Sequence, residues 1–215
     1  MFNFGKKAGI TGVSEKTPDQ ILYGAGTIHK NLKYTENWNF DESIIGATNG
    51  GFKVSIVPEI NGVQVDGAVE DVMEFTKKTG EKANVEVNFA EMSPDVMKAS
   101  TLGKEGSSKD ASLKVIESKT QIEPGDFWEN IAYVGKTLSG QPIIVILDNA
   151  LCKTGFEPEP KAKEGSVFKA TFTCHASVKT GADKLPWHIY YPSESLPAST
   201  MSADAKGTEG QTKKA

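Results

Sequence analysis

The sequence predicts a mainly β protein: a β-sandwich or barrel-like fold with one flanking α-helix and a long projecting β-hairpin. Segments rich in β-branched and aromatic residues recur along the chain, and turn dipeptides separate them. Only one segment carries the signals of a helix start. Many strands with a single helix are typical of a sandwich or a distorted barrel.

The composition is that of an ordinary globular protein with one sizeable core. The chain has 215 residues, 38% of them hydrophobic and 24% charged, and a formal net charge of -4. This charge argues against a protein that grips nucleic acid through its phosphates. No apolar run reaches the ~20 residues of a membrane span, and no signal peptide is evident, so we expect no membrane contact and synthesis in the cytoplasm. Cys152 and Cys174 are expected to be buried free thiols.

We expect three parts: an N-terminal arm (residues 1–20), a β domain (residues 21–192) and a flexible polar C-terminal tail (residues 193–215). The domain begins with a strand-like segment that Gly24 and Gly26 interrupt, which predicts a β-bulge. A phosphate-binding loop is not favoured there, because neither a third glycine nor a helix follows.

A long hairpin is predicted over residues 50–78. Residues 52–56 are extended, Asn61-Gly62 and Asp66-Gly67 are turn dipeptides, and residues 69–76 return in apolar/polar alternation. A two-stranded ribbon of this length leaves its edges unpaired and invites another chain to bind. We therefore expect an assembly protein rather than an enzyme.

A half-buried strand and the helix follow the hairpin. Val85, Val87 and Phe89 share one face of the strand predicted over residues 83–92. Ser93-Pro94-Asp95 then supplies an N-cap, a proline at the first helical position and an early acid, and Gly103 ends the helix. Its apolar side chains Val96, Met97 and Leu102 are expected to pack on the sheet.

The second half of the chain predicts further strands, over residues 113–122 and 127–134 and in the aromatic segment LPWHIYYP that ends at Pro192. The run from Ile143 to Leu147 has no polar position, so both its faces should be covered. In the strand predicted over residues 166–178, one face carries Phe168, Ala170, Phe172, Cys174, Ala176 and Val178.

The sequence contains no catalytic constellation, and we expect no enzyme activity, cofactor or metal. Cys174 and His175 are neighbours in a strand and point to opposite faces, so they cannot form a nucleophile pair. His29 and His188 stand alone, without the cluster of ligands that a metal site needs.

Four segments carry a resemblance to a known family. They are IIGATNGGFKVSIVPEINGVQVDGAVEDV, FWENIAYVGKTLSGQPIIVILDNALCKTGFEPEPKAKEGSVFKATFTCHAS, LPWHIYYP and the capped helix after the first. Their order resembles the major tail tube proteins of long-tailed, non-contractile bacteriophages, over residues 21–192. The most telling pieces are GATNGG, DNAL, KAKEGSVFKATFTCHAS and PWHIYYP.

The resemblance implies a structural virion protein of the phage tail with the tail tube fold. Six copies would form a ring, and stacked rings would form a hollow tube with the tape measure protein and other tail proteins as partners. DNA would pass through the tube during genome ejection without specific binding. Contractile tails and type VI secretion tubes have the same general fold, so a tube of that kind is an alternative.

Two groups of residues are assigned on this basis. We expect the hairpin tip to contact the next ring through Asn61, Gly62, Val63, Gln64, Val65, Asp66 and Gly67. A passing duplex would adhere to a basic wall. Strand parity sets Glu70, Glu74 and Glu86 opposite apolar residues, so we expect them to face the lumen; an ordinary solvated outer face is the alternative.

Two other classes of function remain open. One is a β-sandwich binding or adhesion module, which would display exposed aromatic residues such as Trp38, Trp128 and Trp187. A role for these tryptophans as core anchors is favoured over exposure. The other is a small hydrolase with a composite site.

Overall fold

The structure, a computed structural model, describes residues 12–67, 69–160 and 165–192. Three α-helices lie within these residues: α1 (Thr17–Gln20), α2 (Phe40–Ser43) and α3 (Pro94–Thr101). The strands are β1 (Leu22–Lys30), β2 (Thr48–Gly62), β3 (Thr76–Phe89), β4 (Lys104–Gly106), β5 (Val115–Glu117), β6 (Trp128–Thr137), β7 (Pro142–Cys152), β8 (Phe168–Cys174) and β9 (Trp187–Tyr190). The predicted C-terminal tail and most of the predicted N-terminal arm lie outside the described residues.

One antiparallel sheet contains seven of the strands. Its order is β1-β6-β7-β8-β3-β2, and β9 pairs with β7 beside β8. The two short strands β4 and β5 pair only with each other in a separate ribbon. The prediction of a mainly β protein is confirmed.

The large sheet curls over its own core. Three strands separate β2 from β6, so in a flat sheet the two would lie about 19 Å apart. The rings of Phe52 in β2 and Tyr133 in β6 nevertheless have centroids 4.6 Å apart. At the sheet margins, the Ile45 amide donates to the Ile28 carbonyl over 3.1 Å. The two ends of the sheet therefore come together on one side.

The curled sheet has a main core inside and a smaller one outside. Fully buried side chains of the main core include Val85, Val87, Phe89, Leu147, Phe168, Ala170 and Phe172. The outer core contains Leu32, Ala132, Ile144 and Ile146, with Trp38 and Phe40 packed against them. Val145 and Leu147 point to the main core, whereas Ile144 and Ile146 point to the outer one. The prediction that both faces of this strand are covered is confirmed.

The predicted helix is confirmed as α3. Its N-cap Ser93 accepts a hydrogen bond from the Val96 amide over 3.3 Å, and Leu102 ends it in the left-handed region. Val96 and Ala99 are buried in the main core, while Met97 and Leu102 are only half-buried. The prediction of a single helix is incomplete, because α1 and α2 each add four residues.

The bulge predicted in β1 is also confirmed. The register with β6 shifts between Tyr23 and Thr27, where Gly24 and Gly26 have φ of 85° and 72°. A Cβ on Gly26 would lie 2.5 Å from the Val134 carbonyl oxygen, so only glycine fits there.

Several predicted boundaries are wrong. The strand predicted over residues 69–76 is a loop ending in a 3-10 turn at Met73–Phe75, and the return strand is β3. Asn61-Gly62 is not a turn, because both residues pair with β3. The strand predicted over residues 113–122 shrinks to β5, and β8 ends before Ala176 and Val178. In each case the backbone hydrogen bonds between strands set the boundary of the element, and the pattern of apolar and polar side chains does not reveal it.

Candidate assembly surfaces

The hairpin formed by β2 and β3 extends beyond the body of the protein. β8 pairs with β3 only from Asn84 to Phe89, so among the described strands the rest of β3 has β2 as its single neighbour. Residues 57–62 and 76–79 are exposed without exception, which means that both faces of the ribbon are bare. We refer to residues 57–79 of this hairpin as the arm; the N-terminal arm predicted over residues 1–20 is a different segment.

Large apolar side chains are exposed along the arm. Val69 is 94% exposed and Met73 is 80% exposed. The full set is Val57, Ile60, Val63, Val65, Val69, Met73 and Phe75. A concentration of exposed apolar side chains is typical of an interaction surface or of an aggregation-prone one.

The tip of the arm, residues 63–75, combines this apolar surface with negative charge. It contains Asp66, Glu70, Asp71 and Glu74, and no lysine. The Val63 amide donates to the Phe75 carbonyl over 3.1 Å and closes the loop. The tip encloses an open depression of about 560 Å³.

A buried carboxylate fixes the base of the arm. The Glu81 side chain is only 6% exposed; it accepts hydrogen bonds from the Lys78 ammonium and, over 2.8 Å, from the Trp187 indole N–H of β9. The Lys78 hydrogen bond, followed by that of Trp187, lowers the pKa of Glu81. The Lys82 ammonium pairs with Glu59 across the ribbon at 2.7 Å. Glu81 thus links the base of the arm to β9 in the body of the protein.

The residues predicted to contact the next ring divide between two elements. Asn61 and Gly62 belong to β2, and the Asn61 side-chain amide donates to the Thr79 hydroxyl over 3.0 Å. Asn61 therefore stabilises the stem of the arm, which consists of the paired residues 57–62 and 76–79. Val63, Gln64, Val65, Asp66 and Gly67 lie in the tip and are exposed.

The residues predicted to face the lumen do not form one surface. Glu70 and Glu74 lie in the tip, outside any strand, so the strand parity assigned to them is wrong. Glu86 lies ten residues into β3, roughly 33 Å along the strand from its start. Its predicted alternation with the buried Val85 and Val87 is confirmed. Whether any of the three faces a lumen stays a prediction.

Glu86 occupies the polar outer face of β2, β3 and β8. The Lys169 ammonium lies 3.0 Å from its carboxylate, and Lys53 is its cross-strand neighbour in β2. Lys169 first, and Lys53 to a smaller extent, lowers the pKa of Glu86. Two lysines thus surround one carboxylate, and the surface around Glu86 is not acidic.

Cys152, Cys174 and His29 form structural contacts. Both cysteines are buried free thiols, as predicted. Burial, aided by the negative charges of Asp148 and Glu81, raises the pKa of Cys174 to about 12. His29 is buried between the hydroxyls of Thr27 and Ser43, at 2.7 and 2.9 Å. Within the described part of the chain, no three His, Cys, Asp or Glu side chains cluster as metal ligands would.

The three tryptophans pack against the cores. Trp128 is 7% exposed, and its ring lies 4.5 Å from that of Phe172. Trp187 is half-buried against the main core and Trp38 against the outer one. The prediction of core anchors is confirmed, and the half-buried Trp38 also contacts the rings of the exposed Tyr34 and Tyr190, each with centroids 5.2 Å away.

Two features of the arm were missed in the sequence. One is Glu81, whose partner Trp187 is 106 residues away, so that no local pattern connects them. The other is the acidic character of the tip, which the absence of lysine between Val63 and Phe75 could have indicated.

No family model matches the chain, and no curated protein matches it. None of the helices in the described ranges is long and apolar enough to cross a membrane.

Proposed function

We propose that the protein is the structural subunit of a phage tail tube. Copies of the chain form hexameric rings, the rings stack into a hollow tube, and DNA passes through it without specific binding. The observation that carries this proposal is the arm, a two-stranded ribbon bare on both faces with seven exposed large apolar side chains. In a protein that works as a monomer such a ribbon would be an aggregation hazard.

The strand edges along the arm support the same proposal. Among the described strands, residues 57–62 of β2 pair with β3 alone, and residues 76–83 of β3 pair with β2 alone. Neighbouring subunits in a ring can satisfy such edges, and a head-to-tail contact through the arm generates an open, growing tube. The tape measure protein is the expected occupant of the tube during assembly, and the phage tail is the expected location.

The test replaces the tip and keeps the stem. Gly62 and Thr76 are the last cross-strand pair, so an Asn-Gly turn in place of residues 63–75 closes the hairpin directly after them. We expect an unchanged fold and no tubes. Negative-stain electron microscopy and sedimentation at rising protein concentration measure assembly, and circular dichroism checks the fold.

A matched pair of variants separates a specific contact from general hydrophobicity. V69S/M73S removes two exposed apolar side chains from the tip, whereas V178S removes one that is 92% exposed elsewhere. We expect the first variant to lose tubes and the second to keep them. Tubes of normal length from the tip-replaced protein, or a strictly monomeric wild type at every concentration and salt, would refute the proposal.

A further inference from the structure

An apolar cleft separates the two margins of the curled sheet. β1 and the segment before β2 meet at Ile28 and Ile45, and toward the start of β1 the margins enclose about 450 Å³. The larger side chains that line this cleft are Leu22, Phe52, Val54, Tyr133, Ile143 and Val145. None of the described residues that line it is charged.

The walls of this cleft are suited to an extended chain. β1 pairs on one side with β6 and β2 on one side with β3, so each margin offers unpaired backbone groups. Gly24 and Gly51 lie on opposite walls, and apart from the adjoining residues no atom of the described chain lies within 4 Å of the position that a Cβ would take on either. A backbone can therefore approach both margins closely.

The chemistry of the cleft selects one segment among the residues that the structure does not describe. Residues 1–11 contain two phenylalanines, Phe2 and Phe4, and no acid. In an extended conformation both rings face the same side. Residues 193–215 contain no aromatic residue, and residues 161–164 read KAKE. An uncharged, aromatic-lined cleft matches the first segment alone.

Residues 1–11 are also attached near the cleft. The described chain begins at Gly12, and α1 is held at the β6–β7 turn, where the Ser139 amide donates to the Pro18 carbonyl over 3.2 Å. β1 starts two residues after α1, and its first residue, Leu22, lines the cleft. Eleven extended residues span at most about 40 Å. Covalent attachment gives a segment of the same chain an effective concentration in the millimolar range.

We propose that residues 1–11 of the chain lie in its own cleft as an additional strand, with Phe2 and Phe4 on Phe52, Val54 and Tyr133. The strand runs antiparallel to β1, because residues 12–21 connect the two at the β6–β7 turn. It covers the exposed apolar margin of the domain. This contact forms within one chain and does not depend on assembly into a tube.

Photo-crosslinking on the full chain tests the proposal. Phe4→benzoylphenylalanine keeps an aromatic ring at position 4 and is irradiated at a concentration where the protein sediments as a monomer. We expect a cross-linked monomer whose peptide map joins position 4 to residues 50–54, 133 or 143–145. Cross-links that appear only in dimers, or that join position 4 to another surface, would overturn the assignment to the chain's own cleft.

Hydrogen exchange supplies a second measurement with a matched control. F2S/F4S removes both rings, while K6S/K7S changes two neighbours and keeps the rings. We expect the amides of residues 50–54 to exchange about tenfold faster in F2S/F4S and at the wild-type rate in K6S/K7S. Equal rates in all three proteins would overturn the proposal.

Discussion

Removing the Glu81 carboxylate should loosen the base of the arm and lower the stability of the whole domain. The carboxylate is 6% exposed and accepts hydrogen bonds from Lys78 and Trp187. Hydrogen bonds to a charged group contribute about 1.5–3 kcal/mol. Because Lys78 is 53% exposed, its ion pair adds little, about 0.2–1 kcal/mol, and the Trp187 bond dominates. We expect E81A to cost about 2 kcal/mol.

Two further variants show which interactions contribute to this loss of unfolding free energy. E81Q retains an acceptor for the Trp187 indole and loses only the charge, so we expect a loss of about 0.5–1 kcal/mol. E59A removes the carboxylate on the opposite strand, which is 47% exposed and pairs with Lys82. We expect this control to stay close to wild type.

Urea unfolding followed by tryptophan fluorescence measures all four proteins. With a slope of about 2 kcal/mol per molar urea, a loss of 2 kcal/mol shifts the midpoint by about 1 M. The folded-state pKa of Glu81 is lowered, so its contribution is complete above the unfolded-state pKa of about 4.3 and is lost as the pH falls through the folded-state value. The difference between wild type and E81A should therefore shrink in acid. Equal midpoints for E81A and E59A at pH 7 would refute the anchoring role.

Two predictions concern the interior. F172A opens a cavity in the main core next to Trp128, and we expect it to lower the free energy of unfolding in urea by about 3–5 kcal/mol. T173A changes the opposite face of β8 and should lower it by less than about 1 kcal/mol. Similar losses for the two variants would contradict the strand parity. Burial raises the pKa of both thiols, Cys152 and Cys174. A chromogenic thiol reagent at pH 8 should therefore label neither cysteine in the native protein and both in denaturant. Labelling of the native protein would contradict their burial.

The elements that the sequence predicted well are those with local signals. α3 carries its own N-cap and proline, and its start is correct. β8 alternates strictly between buried and less buried residues, because one of its faces meets the core and the other does not. β7 is wholly apolar from Ile143 to Leu147 because a core covers each face there. In these segments burial and sequence period agree.

The arm was predicted as a hairpin, but its register was not. A ribbon that is bare on both faces has no buried side, so its side chains carry no period-2 pattern. Residues 76–79 are consequently all polar and show no alternation, although all four belong to β3. The anchoring contact of Glu81 with Trp187 depends on the curl of the sheet, which sequence period does not encode.

A final prediction concerns the surface around Glu86 and depends on the proposed tube. In β2, Lys53 lies directly across from Glu86, and Lys169 pairs with it from β8. E86K would create three neighbouring lysines, with cross-strand Cβ atoms about 5 Å apart. If this face lines the tube, the cluster binds phosphates of the passing duplex and slows DNA release. We expect slow release at low salt that recovers as the screening length falls from about 10 Å at 0.1 M to about 3 Å at 1 M.

The tip carboxylates supply the control for this prediction. E70K/E74K makes two changes of the same sign as E86K, but in the loop that we assign to contacts between rings. It should reduce tube growth, measured as tail length by electron microscopy, and leave the release rate of the tails that do form unchanged. Phages that carry E86K, have tails of full length and release DNA at the wild-type rate in low salt would show that the outer face of β2, β3 and β8 does not line the lumen.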